Sequence, residues 1–444
     1  MQTPEIRVGI FSGKEISFTL NGKYHNNNGT AYADGGWNVH CTNGKIILQN
    51  GTQVLETEPG LLISPKKESS SSFTLHSVTI GVDFHWQRKE DQEFKGSLKL
   101  IIEDNKVTAV NVLSIEDYLV SVISSEMSAT SSPELLKAHA VISRSWLLAQ
   151  IEKSSTLVKD AQKYQTHFRT DSEIVRWYDR EDHLNFDVCA DDHCQRYQGI
   201  TRASTPKVVQ VIKDTYGEVL SFEGTICDAR YSKCCGGISE LFENVWEPMG
   251  HPYLQKVVDN TVLPEGYDPD LQKEEAARKW ILGNPEAFCN SSDKNVLSQI
   301  LNDYDQETND FFRWKVTYTQ KEVSDLIKNR TGIDFGTITG IIPFERGASG
   351  RIIRLRIEGT KKTMFIGKEL EIRKALSGTH LYSSCFIVEK VNEGEDIRFI
   401  LYGAGWGHGV GLCQIGAAVM GSKGYSYLEI LNHYFKDAVI EKRY

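Results

Sequence analysis

Two groupings in this chain have residue types and spacing that could do chemistry. The first centres on Glu126, which extends an apolar stripe of Ile115, Leu119, Val122 and Ile123 by three and four residues. A helix would hold that carboxyl on a face shielded from water. Burial penalises the anion, so such a group keeps its proton near neutral pH and can act as a general acid. The plainer alternative is a structural ion pair with Arg144, which stands on its own apolar stripe with Leu136, Ala140 and Leu148. The second grouping is His183, Cys189, His193 and Cys194. Two imidazoles and two thiolates are a ligand set for tetrahedral zinc, although the spacing is not a common finger pattern and His193 and Cys194 must both turn inward. A loop disulfide, or reduced cysteines packed as small apolar groups, are the competing readings.

Two further stretches are rich in polar or flexible residues. Cys227 to Gly237 gathers Tyr231, Ser232, Lys233 and the vicinal pair Cys234 and Cys235 ahead of two glycines. Inert thiols are the commoner outcome there, and no Ser/His/Asp or Cys/His arrangement with a local signature supports a nucleophile. Near the C-terminus, Gly403, Gly405, Gly407, Gly409 and Gly411 alternate with Ala404, Trp406, His408 and Val410. If extended, that segment bares one face for close approach of a polymer; the alternative is a tight glycine turn with a packed Trp. The spacing matches neither nucleotide-loop pattern.

These residues need elements to hold them. A first helix is expected from about Ser114 to Met127, opened by Ser114 with Asp117 three residues on. A second opens at Ser132, Pro133 and Glu134, an N-cap followed by proline. Upstream, alternation in Ile6 to Ile10 and Phe73 to Ile80 predicts strands, as do Gly96 to Ile102 and Val107 to Val112. Downstream, Val208 to Ile212 and Tyr216 to Phe222 read as strands, and strands dominate again from Arg313 to Ile357. A helical insertion containing Glu274 to Leu282 separates them, and Ser426 with Glu429 caps a final helix. The expected fold class is α+β, a β-rich multi-part fold with a helical pair carrying Glu126. Its expected parts are residues 1–94, 95–261, 262–310 and 311–444.

A chain of 444 residues can bury a large core, and its formal charge of -9 argues against nucleic-acid binding. No apolar run is long enough to span a bilayer, and the N-terminus lacks a signal pattern, which implies a cytoplasmic protein or a leader already removed. Nine cysteines cannot all pair within one chain.

Six stretches, in order from about Gly96 to Phe435, resemble the SpoIID/LytB family of bacterial cell-wall proteins: Glu116 to Met127, Leu135 to Trp146, Cys194 to Gly199, Ala229 to Gly237, Arg346 to Arg351 and Gly405 to Ala417. The resemblance implies a lytic transglycosylase that cleaves peptidoglycan glycan strands between N-acetylmuramic acid and N-acetylglucosamine, leaving 1,6-anhydro-muramic ends. It makes Glu126 the single acid/base and places Arg144, Gln195, Tyr231, Ser232, His408 and Gln414 around the substrate. It also implies zinc on His183, Cys189, His193 and Cys194, no organic cofactor, an extracytoplasmic location and a cell-wall amidase as possible partner. Cys413 stands where the family more usually has Ser, and Cys234 and Cys235 replace small hydroxyl residues. A non-catalytic amidase enhancer or wall-binding scaffold is one alternative. A zinc-dependent wall hydrolase is the other, but it needs an open coordination position that four protein ligands would close.

Overall fold

In a computed structural model, residues 3–51, 53–67, 70–81, 87–128, 130–157, 166–178, 183–191, 194–201, 205–300, 310–394 and 396–444 are described. Strands and helices mix throughout, with strands predominating, so the α+β expectation holds. Among the described residues no helix is long and apolar enough to cross a membrane.

The first strand, Glu5–Gly13, pairs antiparallel along its length with Lys106–Ser114, the strand that leads directly into the helix carrying Glu126. Ser97–Glu103 lies on the other side of Lys106–Ser114, and the short strand Val188–Cys189 runs parallel to Val8 and Gly9. The boundary expected at residue 94 therefore cuts through one continuous seven-stranded sheet. A six-stranded sheet from Glu15 to Phe94 packs in the same core, which also takes in both predicted helices and the last two helices of the chain. Alternation marks Ile6 to Ile10 and Phe73 to Ile80 as strands, but pairing between residues about a hundred apart leaves no local pattern.

The helices follow from local chemistry. Helix α1 (Ile115–Glu126) starts where the Ser114 hydroxyl accepts the Asp117 N–H, and buries Ile115, Tyr118, Leu119, Val122 and Ile123 completely. Each such aliphatic side chain contributes about 1.5–3 kcal/mol, and Leu119→Ala would cost about 2–5 kcal/mol. Helix α2 (Pro133–Leu157) starts with the Ser132 hydroxyl accepting from Leu135 N–H.

Two local expectations fail. Val208 to Ile212 is helix, within Pro206–Asp214, because Thr205 caps it and Pro206 opens it; those start signals outweigh the β-branched run. Within the expected strand run after Arg313, Gln320–Thr331 is a helix with a capping box of Thr319 and Glu322. It belongs to a second core that holds the strands from Arg313 to Ala404. The expected C-terminal part is thus divided, since helices Gln414–Ser422 and Tyr427–Tyr434 pack back into the first core. The latter starts at the predicted Ser426 and Glu429 box.

Candidate active site

Glu126 is the last residue of α1 and half-buried, and its Oε1 accepts the Arg196 backbone N–H at 3.3 Å. The last turn of α1 contains no basic residue. The Arg196 N–H donated to Oε1 fixes the orientation of the carboxyl.

Two residues before Arg196 stands Cys194, whose Sγ lies 3.5 Å from His183 Nε2 and accepts the Cys189 N–H at 3.4 Å. The ligand atoms of His183, Cys189 and Cys194 all lie within 4.8 Å of one another. One imidazole and two thiols at that spacing fit zinc, and His193 lies outside the described residues. The loop is held against the first strand, where the Ala190 N–H donates to the Gly9 carbonyl and Phe186 fills the space that a Cβ on Gly9 would need.

Gln195, between the thiol and the acid's partner, turns inward. Its Oε1 accepts from Tyr118 Oη at 3.2 Å and its Nε2 donates to the Ser143 carbonyl at 3.3 Å. Ser143 in turn meets His139 Nδ1 at 3.2 Å, and Gln414 Nε2 lies 3.2 Å from His139 Nε2. Burial pushes His139 down to about 3, so the ring is neutral, accepts from Gln414 and donates to Ser143 Oγ. Its edge meets the ring of Tyr231 at 4.6 Å between centroids. Burial also holds the Tyr118 phenol well above its ordinary value, reinforced by the charges of Cys194, Tyr231 and Cys189. Tyr118 therefore stays a hydrogen-bond donor to Gln195 and stacks on Tyr197.

His408 sits in the glycine segment, which is not extended. Gly405, Gly407, Gly409 and Gly411 all have φ between 72° and 95°, a left-handed backbone that other residues resist. Space is equally tight: a Cβ on Gly409 would lie 2.4 Å from the Arg351 guanidinium, and one on Gly411 2.1 Å from the Arg230 carbonyl. The turn reading is the correct one. Burial, followed by Arg230, Arg373 and Arg351, drives His408 well below its ordinary value, so it too is neutral. Its Nδ1 accepts from Val410 N–H at 3.0 Å, its ring stacks edge-on against Trp246, and it hydrogen-bonds the Tyr231 backbone. Arg351 clamps this turn by donating to the Gly407 and Cys235 carbonyls, while Glu240 secures the Arg346 to Arg351 loop through the Ala348 and Ser349 N–H groups.

Several expected roles change. Arg144 does not meet Glu126; it is fully buried in a bidentate pair with Glu116 (2.9 and 2.8 Å) and donates to the Glu218 carbonyl. Glu116 is ten residues before Glu126 on the same helix, about 15 Å along its axis. Arg144 is a fastener between helices, not a sugar-binding group. Gln195, Ser232 and Gln414 are also buried, and Gln195 and Gln414 spend their amides on Tyr118, Ser143 and His139. Glu126 and Tyr231 are half-buried and face outward more than those three. His139 and Tyr118 escaped sequence reasoning; a His and a Ser four residues apart on an otherwise apolar helix face was the available signal.

The sequence matches the family described as Stage II sporulation protein over residues 103–222, which includes both helices and the thiol loop. Residues 240–411 match a domain of unknown function (DUF8618). An uncharacterised protein of Brachyspira hyodysenteriae is 27% identical over 371 residues, covering 83% of this chain and 74% of that protein. The amidase enhancer of Bacillus subtilis is 25% identical over 71% of this chain but only 39% of its own length. Stage II sporulation protein D of Bacillus amyloliquefaciens is 24% identical, covering 75% of this chain and 76% of that protein. The matched domain frames Glu126 and the thiol loop, and over that region the chain is similar to the Stage II sporulation protein family.

Proposed function

We propose that this protein is a peptidoglycan lytic transglycosylase acting in the cell envelope, with Glu126 as its acid and base. The observation that carries the reading is the setting of that carboxyl: half-buried at a helix end, held by the Arg196 N–H and supported from beneath by Tyr118, Gln195 and His139. In the forward step the protonated Glu126 gives its proton to the glycosidic oxygen between the muramic and glucosamine units as the C1–O bond breaks. The muramic 6-hydroxyl then bonds to C1 and returns its proton to Glu126. This cycle needs no second carboxylate. When bound on His183, Cys189 and Cys194, zinc would neutralise the thiolates and cross-link the loop; the chain's own contribution is to fix Arg196 against the acid.

The test is digestion of purified glycan strands with wild type and Glu126→Gln. Anhydro-muramic products from wild type alone, seen by mass spectrometry, are expected. Their absence from wild-type digests would sink the proposal. A second reading, an enhancer that assists a wall amidase without cutting glycan, is favoured by the amidase enhancer relative. It predicts no glycan products but faster release of stem peptides by an added amidase.

A further inference from the structure

Behind the glycine turn lies a second thiol grouping that the proposed chemistry does not use. Cys235, Cys289 and Cys413 are almost completely buried together with Asp259, and the four ligand atoms lie within 4.8 Å of one another. They come from four separate segments: the Cys-Cys-Gly-Gly loop, the stretch before the insertion, the insertion itself, and the start of helix Gln414–Ser422.

We propose that Cys235, Cys289, Cys413 and Asp259 bind one zinc ion in a closed tetrahedral site, separate from the His183 loop, which staples the inserted segment to the core. Cys235 Sγ and Cys289 Sγ are 3.6 Å apart. That approaches the edge of a tetrahedron with bonds of about 2.3 Å, roughly 3.8 Å. The supporting contacts resemble those around structural metals. Asp259 Oδ1 accepts from Tyr434 Oη at 2.6 Å and Oδ2 from the Cys289 N–H at 2.8 Å, which orients the carboxylate and leaves it lone pairs for a cation. Gly416 makes room for it, since a Cβ there would lie 2.4 Å from Asp259 Oδ1 and 2.2 Å from Tyr434 Oη. Cys413 occupies the N-cap of its helix and its Sγ accepts the Cys235 N–H at 3.2 Å, and both features favour a thiolate.

Reduced thiols in an apolar core are the commonest fate of buried cysteines. Such a core has no use for a carboxylate sealed among them, and a dication offsets two of the four negative charges that the carboxylate and three thiolates would bring. Cys234 stands close enough to hydrogen-bond with Cys289 and Cys413 but falls outside the mutually close set of four. It is assigned no ligand role. Binding releases the thiol protons to solvent and involves no change of oxidation state.

The experiment measures zinc per chain by elemental analysis after purification without chelator, in a Cys189→Ser/Cys194→Ser background that removes the His183 loop's thiols. One zinc per chain is expected there, retained in Cys234→Ser and lost on adding Cys289→Ser or Asp259→Ala. The background makes the result independent of whether the His183 loop binds metal and of whether the enzyme cuts glycan. Should the added variants fail to fold, X-ray absorption at the zinc edge of the background protein decides, with three sulfurs and one oxygen expected. No zinc in the background, a different metal, a Cys235–Cys289 disulfide in a non-reduced digest, or loss of metal in Cys234→Ser with retention in Asp259→Ala would overturn the assignment.

Discussion

The two thiol groupings differ in how they are built. His183, Cys189 and Cys194 fall within a dozen residues, are half-buried, and connect through Gln195 and Arg196 to the acid. Cys235, Asp259, Cys289 and Cys413 span 179 residues, are sealed from solvent and lie among helices and turns that support the site from behind. The first should matter to catalysis more than to folding, and the second to folding more than to catalysis. A local cluster can adjust a neighbouring group, whereas a cluster drawn from four segments restrains the chain.

The sharpest control on that contrast is Glu126→Gln. Glycan cleavage is expected to fall about 10²- to 10⁴-fold, the usual contribution of a general acid, with metal content and urea midpoint unchanged. A shift in either would mean that acid and clusters are not separable.

Arg144→Met comes next and acts on the fastener. Leaving the Glu116 carboxylate, only 12% exposed, without its guanidinium should cost about 3–5 kcal/mol of stability, read by urea unfolding, while turnover per folded molecule stays near wild type. A selective loss of turnover instead would restore Arg144 to the substrate site.

The buried imidazole gives a pH signature. His139 is held down to about 3 from an ordinary 6.5. The folded state therefore binds fewer protons than the unfolded one in that window, and its contribution is present above about pH 6.5 and lost as pH falls toward 3. His408, His380 and His433 are depressed as well and share the sign. His139→Leu should flatten the fall of the urea midpoint between about pH 6.5 and 4.5. An unchanged slope would show that this ring does not report on folding.

The smallest expected effect distinguishes the clusters most directly. Cys194→Ser should slow cleavage about 10- to 100-fold, the scale for disturbing groups that orient a reactive centre, and barely move the urea midpoint. If it unfolds the protein instead, the proposed division of labour between the clusters fails.

What the sequence revealed follows the same division. Glu126 was legible because an N-cap and an apolar stripe fixed α1, and the thiol loop because its ligands are neighbours in sequence. His139 was not, since an imidazole on a buried helix face reads as core until Gln414, 275 residues away, is placed against it. The Asp259 grouping has no local pattern at all. Val208 to Ile212 misled because β-branched residues report a preference that Thr205 and Pro206 override.

The pairing of Glu5–Gly13 with Lys106–Ser114 and Val188–Cys189 also constrains the order in which the chain can mature. During synthesis the first strand waits for a partner more than ninety residues downstream, and until then it offers an open edge to other chains. A fragment ending before residue 106 should therefore self-associate, and one ending just after 114 should complete that pair while its other edge still awaits residues 188 and 189. The strand beside the thiol loop is thus made well before its partners and is among the last to be finished.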